Sequence, residues 1–177
     1  MKTKTRIYDE GLEGYPKSSI IFGNFMMMLW ITLGTAACWF LYPIAAWIYL
    51  TFAIVMVGII LRKFLCINCY YYNKWCCLGW GKLSALLFKK GNIKEFDKSI
   101  GLKLAPITYG VLTLVPLILI IISTIQNFTA YKIVVLVPLL LISFYNVAIS
   151  RKKSCVRCKM RLFCPGSVAK WVKWTWI

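Results

Sequence analysis

The chain reads as an all-α, four-span transmembrane helical bundle. It is built from two similar helical hairpins, with both termini on the cytosolic side and short interfacial helices on that face. Three observations carry this. Sixty per cent of the 177 residues are apolar and the mean hydropathy is +0.72, more apolar surface than a soluble fold of this size can hide. Four apolar runs are each long enough to cross about 30 Å of hydrocarbon at about 1.5 Å per residue. The charges, finally, are sorted by side.

The runs cover 19–41, 44–61, 104–125 and 131–150. Pro43 fits the first turn of the second run, where a missing N–H costs nothing. The runs are continuous rather than alternating, so helices are expected and not a barrel. Gly34, Ala36, Ala37, Ala45 and Ala46 offer close helix approach, and Cys38 beside them reads as a small packing residue. Pro106, Pro116 and Pro138 are expected to kink the later spans. Asn24 and Asn146 are the notable polar residues, and an interhelical hydrogen bond is the simplest role for each. No ionisable side chain sits in a span core, which argues against a transport path.

Residues 1–18 hold four basic residues, 62–103 nine and 151–177 eight, leaving Lys132 alone on the other face. The positive-inside rule makes the first side cytosolic and the protein a multi-pass plasma-membrane protein. The net charge of +17 then orients the chain and attracts anionic headgroups. No nucleic-acid recognition motif accompanies it. Leu33 to Cys38 faintly resembles a lipoprotein cleavage site, but the long, partly acidic leader and the continuing apolar run argue against processing. Asn127-Phe128-Thr129 is a glycosylation sequon that reads as a short polar turn at the outer surface.

An internal repeat organises the rest. Arg62-Lys63-Phe64-Leu65-Cys66-Ile67-Asn68-Cys69 matches Arg151-Lys152-Lys153-Ser154-Cys155-Val156-Arg157-Cys158 without a gap. A further cysteine follows each, Cys76 or Cys77 in the first copy and Cys164 in the second. The units are 1–18 as a cytosolic lead, 19–103 as first repeat and 104–177 as second. An even number of spans per unit keeps the copies parallel, so both cysteine loops should reach one face. A short interfacial helix is expected over 80–90, with Trp80, Leu83, Leu86 and Leu87 on its apolar side and Gly91-Asn92 as its stop. Trp171, Trp174 and Trp176 form a headgroup-level anchor.

The cysteines are the chemistry. Two residues between thiolates let both sulfurs grip one tetrahedral ion. Cys66, Cys69, Cys155 and Cys158 are the first-choice metal ligands, with Cys76, Cys77 and Cys164 as additional ones. The chain has no His, so such a centre is all-thiolate, which favours zinc or an iron–sulfur cluster. The third cysteine in each copy tips the choice to iron–sulfur. Cys164-Pro165 is similar to the Cys-Pro that closes bacterial ferredoxin ligand runs, over too few residues to name a family. The expected function is a membrane-anchored redox or electron-transfer component, with an acidic cytosolic redox protein or the subunits of a membrane complex as partner. A zinc-stapled scaffold and a thiol–disulfide exchange protein are the alternatives. Cys76 and Cys77 are also plausible acylation sites. No phosphate loop, nucleophile elbow, zinc-protease motif or dinucleotide fingerprint is present, so the chain carries no sign of a soluble enzyme.

Overall fold

The computed structural model describes residues 7–169. The fold is all-helical and contains four helices long and apolar enough to span a membrane. They are α1 (Lys17–Trp39), α2 (Pro43–Asn68), α4 (Ile100–Gln126) and α5 (Ala130–Val156), with the short α3 (Trp80–Leu87) between the second and third. α1 packs against α2, α4 and α5. Trp171, Trp174 and Trp176 lie outside the described residues.

The bundle is apolar outside and selectively polar within. Ile21, Met28, Ile44, Trp47, Ile125 and Val134 are among the exposed side chains, while Ser123, Ser143 and Thr108 are buried. That inversion suits a helix that meets lipid on its outer face, where burial earns no hydrophobic gain over exposure. Ala37, Cys38 and Ala46 pack in the core as small residues. The Trp30 indole N–H donates to Ser143 Oγ at 3.0 Å, joining α1 to α5.

Pro116 shows how one sequence feature calls up the next. Proline has no N–H to give the carbonyl four residues back, so Leu112 O is left over inside α4. The Tyr49 hydroxyl donates to it at 3.0 Å, from α2. The Tyr49 ring in turn lies on Gly34, where any Cβ would strike its hydroxyl end. A freed carbonyl in the bundle is thus satisfied by a neighbouring helix, and α4 runs through Pro116 to Gln126. At its end the buried Lys132 ammonium donates to Ser123 O and Asn127 O, each at 2.8 Å, capping the helix where its dipole is negative.

Two helix ends differ from the hydropathy pattern. The apolar runs stop at 61 and 150, yet α2 continues to Asn68 and α5 to Val156. Each carries a π-helical turn just before its Arg-Lys pair, at Met56–Ile60 and Tyr145–Ser150. Long basic side chains can leave the apolar layer while their backbone stays helical, so polarity at 62 and 151 does not end the helix. Cys66 and Cys155 consequently sit at helix ends rather than in loops. α3 is also shorter than expected. It ends at Leu87, with Phe88 extended, and it divides its apolar residues. Trp80 and Ser84 face inward, while Leu83, Leu86 and Leu87 are exposed.

Candidate cysteine site

Three segments meet at one end of the bundle: residues 8–15, the turn after α2 and the turn after α5. The N-terminal segment lies across the other two as a strap. Tyr8 N–H donates to Lys159 O and Leu12 N–H to Arg157 O, both at 2.9 Å, and Tyr15 N–H donates to Trp75 O at 2.8 Å. Leu12 and Cys158 pair as a parallel β-bridge.

The two cysteine turns share one hydrogen-bond ladder. In the first, Cys69 N–H donates to Cys66 O at 3.3 Å, Tyr72 to Cys69 at 3.1 Å, Lys74 to Tyr71 at 2.9 Å and Gly79 to Cys76 at 2.9 Å. In the second, Cys158 donates to Cys155 at 3.3 Å, Arg161 to Cys158 at 3.1 Å, Phe163 to Met160 at 3.0 Å and Ser167 to Cys164 at 3.1 Å. Each turn also points an N–H two residues on at the sulfur of its second cysteine: Tyr71 at Cys69, and Met160 at Cys158.

Between the turns lie two buried tyrosines. Tyr15 and Tyr71 stack with tilted rings, centroids 5.7 Å apart. The Tyr15 hydroxyl donates to Ser154 O at 2.6 Å. The Tyr71 hydroxyl donates to Leu12 O at 2.7 Å and accepts from Lys159 N–H at 3.1 Å. Cys69, Cys76, Cys77 and Cys158 pack around these rings and Ile20. Cys66 instead packs with Cys76 on the main core of the bundle. The first turn can press against α3 because residue 81 is glycine. A Cβ there would collide with Tyr71 O. Asn24, read as a helix–helix bond, joins α1 to this turn, donating to Leu78 O at 3.0 Å.

The thiols differ in electrostatics. Burial pushes Cys69 up, against the Tyr71 N–H that favours its thiolate, and charge on Cys158, Cys66 and Cys76 would raise it further. Burial likewise lifts Cys158 to about 11, with Cys155 and Cys164 adding to the rise and the Met160 N–H opposing it. Cys76 goes the other way and is lowered. The adjacent Cys77 thiol favours its thiolate, and N–H groups of Gly81, Leu78 and Trp80, at and just before the start of α3, point at its sulfur. Cys77 is raised by the same pairing and by burial.

No disulfide joins any of the eight cysteines. Among the described residues no three Cys, Asp or Glu side chains already stand at the spacing that would hold a metal ion. The donor set nevertheless suits a soft metal: half-buried cysteines, no competing imidazole, and N–H groups already turned to the sulfur atoms.

Sequence pattern singled out all seven of these cysteines but not Tyr15 or Glu13, and it marks Tyr71 only as part of the aromatic stretch Tyr70-Tyr71-Tyr72, which could shield a cluster or simply meet a membrane surface. Glu13 holds Lys74 at 3.1 Å and contacts Lys159, one lysine from each turn, and it accepts from the Tyr70 hydroxyl at 2.6 Å. The one available signal was an acidic cluster, Asp9, Glu10 and Glu13, ahead of an otherwise basic chain.

Fold and site together define a membrane-type helical protein with a cysteine-rich end. No protein family, curated protein or solved structure matches the chain.

Proposed function

We propose that the chain is a multi-pass plasma-membrane protein, made of two similar hairpins with both termini in the cytosol, whose cysteine end holds an all-thiolate metal centre and serves electron transfer. The observation that supports this is the matched pair of C-x-x-C turns, with the same hydrogen-bond ladder and the same N–H-to-sulfur contact, meeting across Tyr15 and Tyr71. One turn of this kind is common; two facing each other form the donor set of a four-sulfur site. Charge sorting puts this end in the cytosol, where disulfides are disfavoured and metal ligation is the commoner use of such thiols.

An iron–sulfur cluster there would supply one-electron chemistry, whereas zinc would only tie the turns together. The chain's own residues do the remainder. Tyr15, Tyr71 and Ile20 exclude water from the sulfurs, and the peptide N–H groups of Tyr71 and Met160 offset thiolate charge. The basic surface is suited to an acidic redox partner and to anionic headgroups, against which the exposed leucines of α3 would lie.

Protein purified without oxygen should absorb near about 400 nm if thiolate-bound iron–sulfur is present. A colourless preparation with stoichiometric zinc favours the scaffold reading. A colourless, metal-free preparation that also fails to take up either metal removes both.

A second reading has its own observation. Cys76 and Cys77 are adjacent in sequence, and the peptide N–H groups of Leu78, Trp80 and Gly81 favour the Cys76 thiolate, the form that attacks a disulfide. Mass spectrometry under mild oxidation should then find a disulfide involving Cys76 that forms and reverses.

A further inference from the structure

A groove opens between the end of α2 and the segment that leads into α4. Its volume is about 450 Å³, within the range of about 300–1,000 Å³ usual for small-ligand sites. Backbone contacts fix its walls. The Ser99 hydroxyl donates to Phe64 O, and Gly91 N–H donates to Ile67 O at 3.1 Å. The start of α4 lies on the end of α2 at Gly101, where a Cβ would stand 3.0 Å from Leu65 N. The buried Phe96 ties the leading segment to Phe163, with ring centroids 6.2 Å apart.

Depth and chemistry narrow what the groove can hold. Phe64 lies just past the apolar run that ends at 61, and Ile100 just before the one that begins at 104. At about 1.5 Å per residue both sit about 5–6 Å outside the hydrocarbon, inside a headgroup layer about 5–8 Å deep. One side of the groove is apolar, made by Phe64, Ile67 and Ile100. Exposed Ile107, two turns on along the same face of α4, continues that side onto the lipid-facing surface. The other side is charged and carries both signs, Lys98 and Glu95. Both are exposed, and neither makes an ion pair among the described residues. Lys63 stands at the rim, its ammonium 5.9 Å from the centre of the Phe64 ring. Lys94 and Asp97, on the same segment, lie outside the lining and offset each other.

We propose that this groove binds one phospholipid with an ethanolamine headgroup, its phosphate toward Lys98 and Lys63, its ammonium toward Glu95 and its acyl chains along Ile100 and Ile107. The occupant is a lipid, not a free phosphate, because the apolar side of the groove runs into the face that meets the bilayer. A purely anionic headgroup would set its charge beside Glu95 and gain nothing from it. A choline headgroup has no N–H to donate to that carboxylate, whereas a primary ammonium has three, and such bonds between charged groups are the strong ones. The general attraction of the basic surface for anionic lipid is a separate effect that salt screens. The site goes beyond the metal-centre reading and does not depend on what the cysteines hold.

The test uses full-length protein in detergent micelles, stripped of lipid and titrated with phosphatidylethanolamine, phosphatidylcholine and phosphatidylglycerol of one acyl composition, read by native mass spectrometry. One phosphatidylethanolamine per chain is expected, held about tenfold more tightly than either of the others. Methylating its nitrogen once, twice and three times should weaken binding stepwise, a readout that needs no variant. Lys98→Gln and Glu95→Gln, both at exposed positions, should each weaken it about fivefold, and Glu95→Gln should erase the preference over phosphatidylglycerol. Glycerophosphoethanolamine, the same headgroup without acyl chains, should fail to displace the lipid. Displacement by it would make the ligand a soluble phosphate amine and overturn the lipid assignment. Tighter binding of phosphatidylglycerol, strengthened further by Glu95→Gln, would overturn the ethanolamine headgroup in favour of an anionic one. Equal retention of all three lipids, or retention that neither substitution changes, would reduce the groove to ordinary bilayer contact and overturn the site.

Discussion

The two cysteine turns carry the same ladder of backbone hydrogen bonds, yet they are supported in different ways. The first closes onto α3. Its Cys76 sulfur collects N–H groups from the start of that helix, Gly81 lets the backbones touch, and Arg62 lies inward over the Trp80 ring. The second has no following helix among the described residues. Its Arg151 is exposed and donates to Gly166 O at 2.7 Å, and the turn is held largely from outside, by the strap and by Tyr71. Matching local sequence therefore gives matching local hydrogen bonds, while the residues after the turn decide how rigidly it is held. The first turn is the platform, and the second is positioned against it.

The largest separation of the two should come from equal substitutions at their glycines. Gly81→Ala puts a methyl into the Tyr71 carbonyl, a backbone atom that cannot yield cheaply, and should cost about 3 kcal/mol. Gly166→Ala meets only Arg151 Nη2 at 3.7 Å and Cys164 Sγ at 3.9 Å, ordinary contacts, and should stay within about 0.5 kcal/mol. Thermal unfolding in one detergent would measure both. Equal costs would mean that α3 does not brace the first turn.

Next comes the pair of tyrosines at the junction. Tyr71→Phe removes a donor to Leu12 O and strands the Lys159 N–H, at about 1–3 kcal/mol for a buried group left unmade. Tyr15→Phe loses a single bond to Ser154 O, nearer about 1 kcal/mol. Tyr71 belongs to the first turn and bonds both the strap and the second turn, so its loss should raise maleimide labelling of Cys158 more than Tyr15→Phe does. The reverse order would make the strap, not the first turn, the principal support.

The two arginines give a smaller contrast. Arg62→Lys trades a planar guanidinium on Trp80 for a point charge, worth about 1 kcal/mol at a partly desolvated ring. Arg151→Lys keeps a donor near an exposed carbonyl and should change stability by less than about 0.5 kcal/mol. Matching losses in unfolding experiments would remove the distinction between an inward and an outward arginine.

The legible and illegible parts of the molecule separate along the same lines. Four spans follow from run length and hydropathy alone, because lipid leaves a helix little choice. The R-K-x-x-C-x-x-C pattern drew attention to both turns, whose backbone hydrogen bonds follow a similar course. The helix ends were misjudged because a dibasic pair looks like a boundary, whereas the backbone stays helical through Arg62 and Arg151. Tyr15 and Tyr71 could not be told from aromatic residues that a membrane surface recruits anyway. Their role depends on contacts 59 and 139 residues away in sequence, which no local period encodes. The Leu112 carbonyl left over by Pro116 was predictable as a need, but its answer, Tyr49, lies on another helix.

The smallest expected effect concerns what fastens the strap across both turns. Glu13 is held to about 2, below its usual 4.5, first by Lys159 and then by the Tyr70 hydroxyl and Lys74. A carboxyl whose value is depressed on folding adds stability that is complete above the unfolded value and is lost as pH falls through the folded one. The strap should therefore loosen between about pH 4.5 and pH 2. Glu13 is exposed to solvent and salt, so the loss should be small. Hydrogen exchange at the Leu12 and Tyr15 amides, corrected for intrinsic pH dependence, would report it: Leu12 donates to the second turn and Tyr15 to the first. Both should exchange faster through that window in the parent protein, and Glu13→Gln should exchange fast throughout with no step. A step at Leu12 alone would show that Glu13 acts through Lys159 only and that the strap's hold on the first turn is independent of charge. A step that persists in Glu13→Gln would assign the titration to another group and leave Glu13 a surface carboxylate with no part in joining the turns.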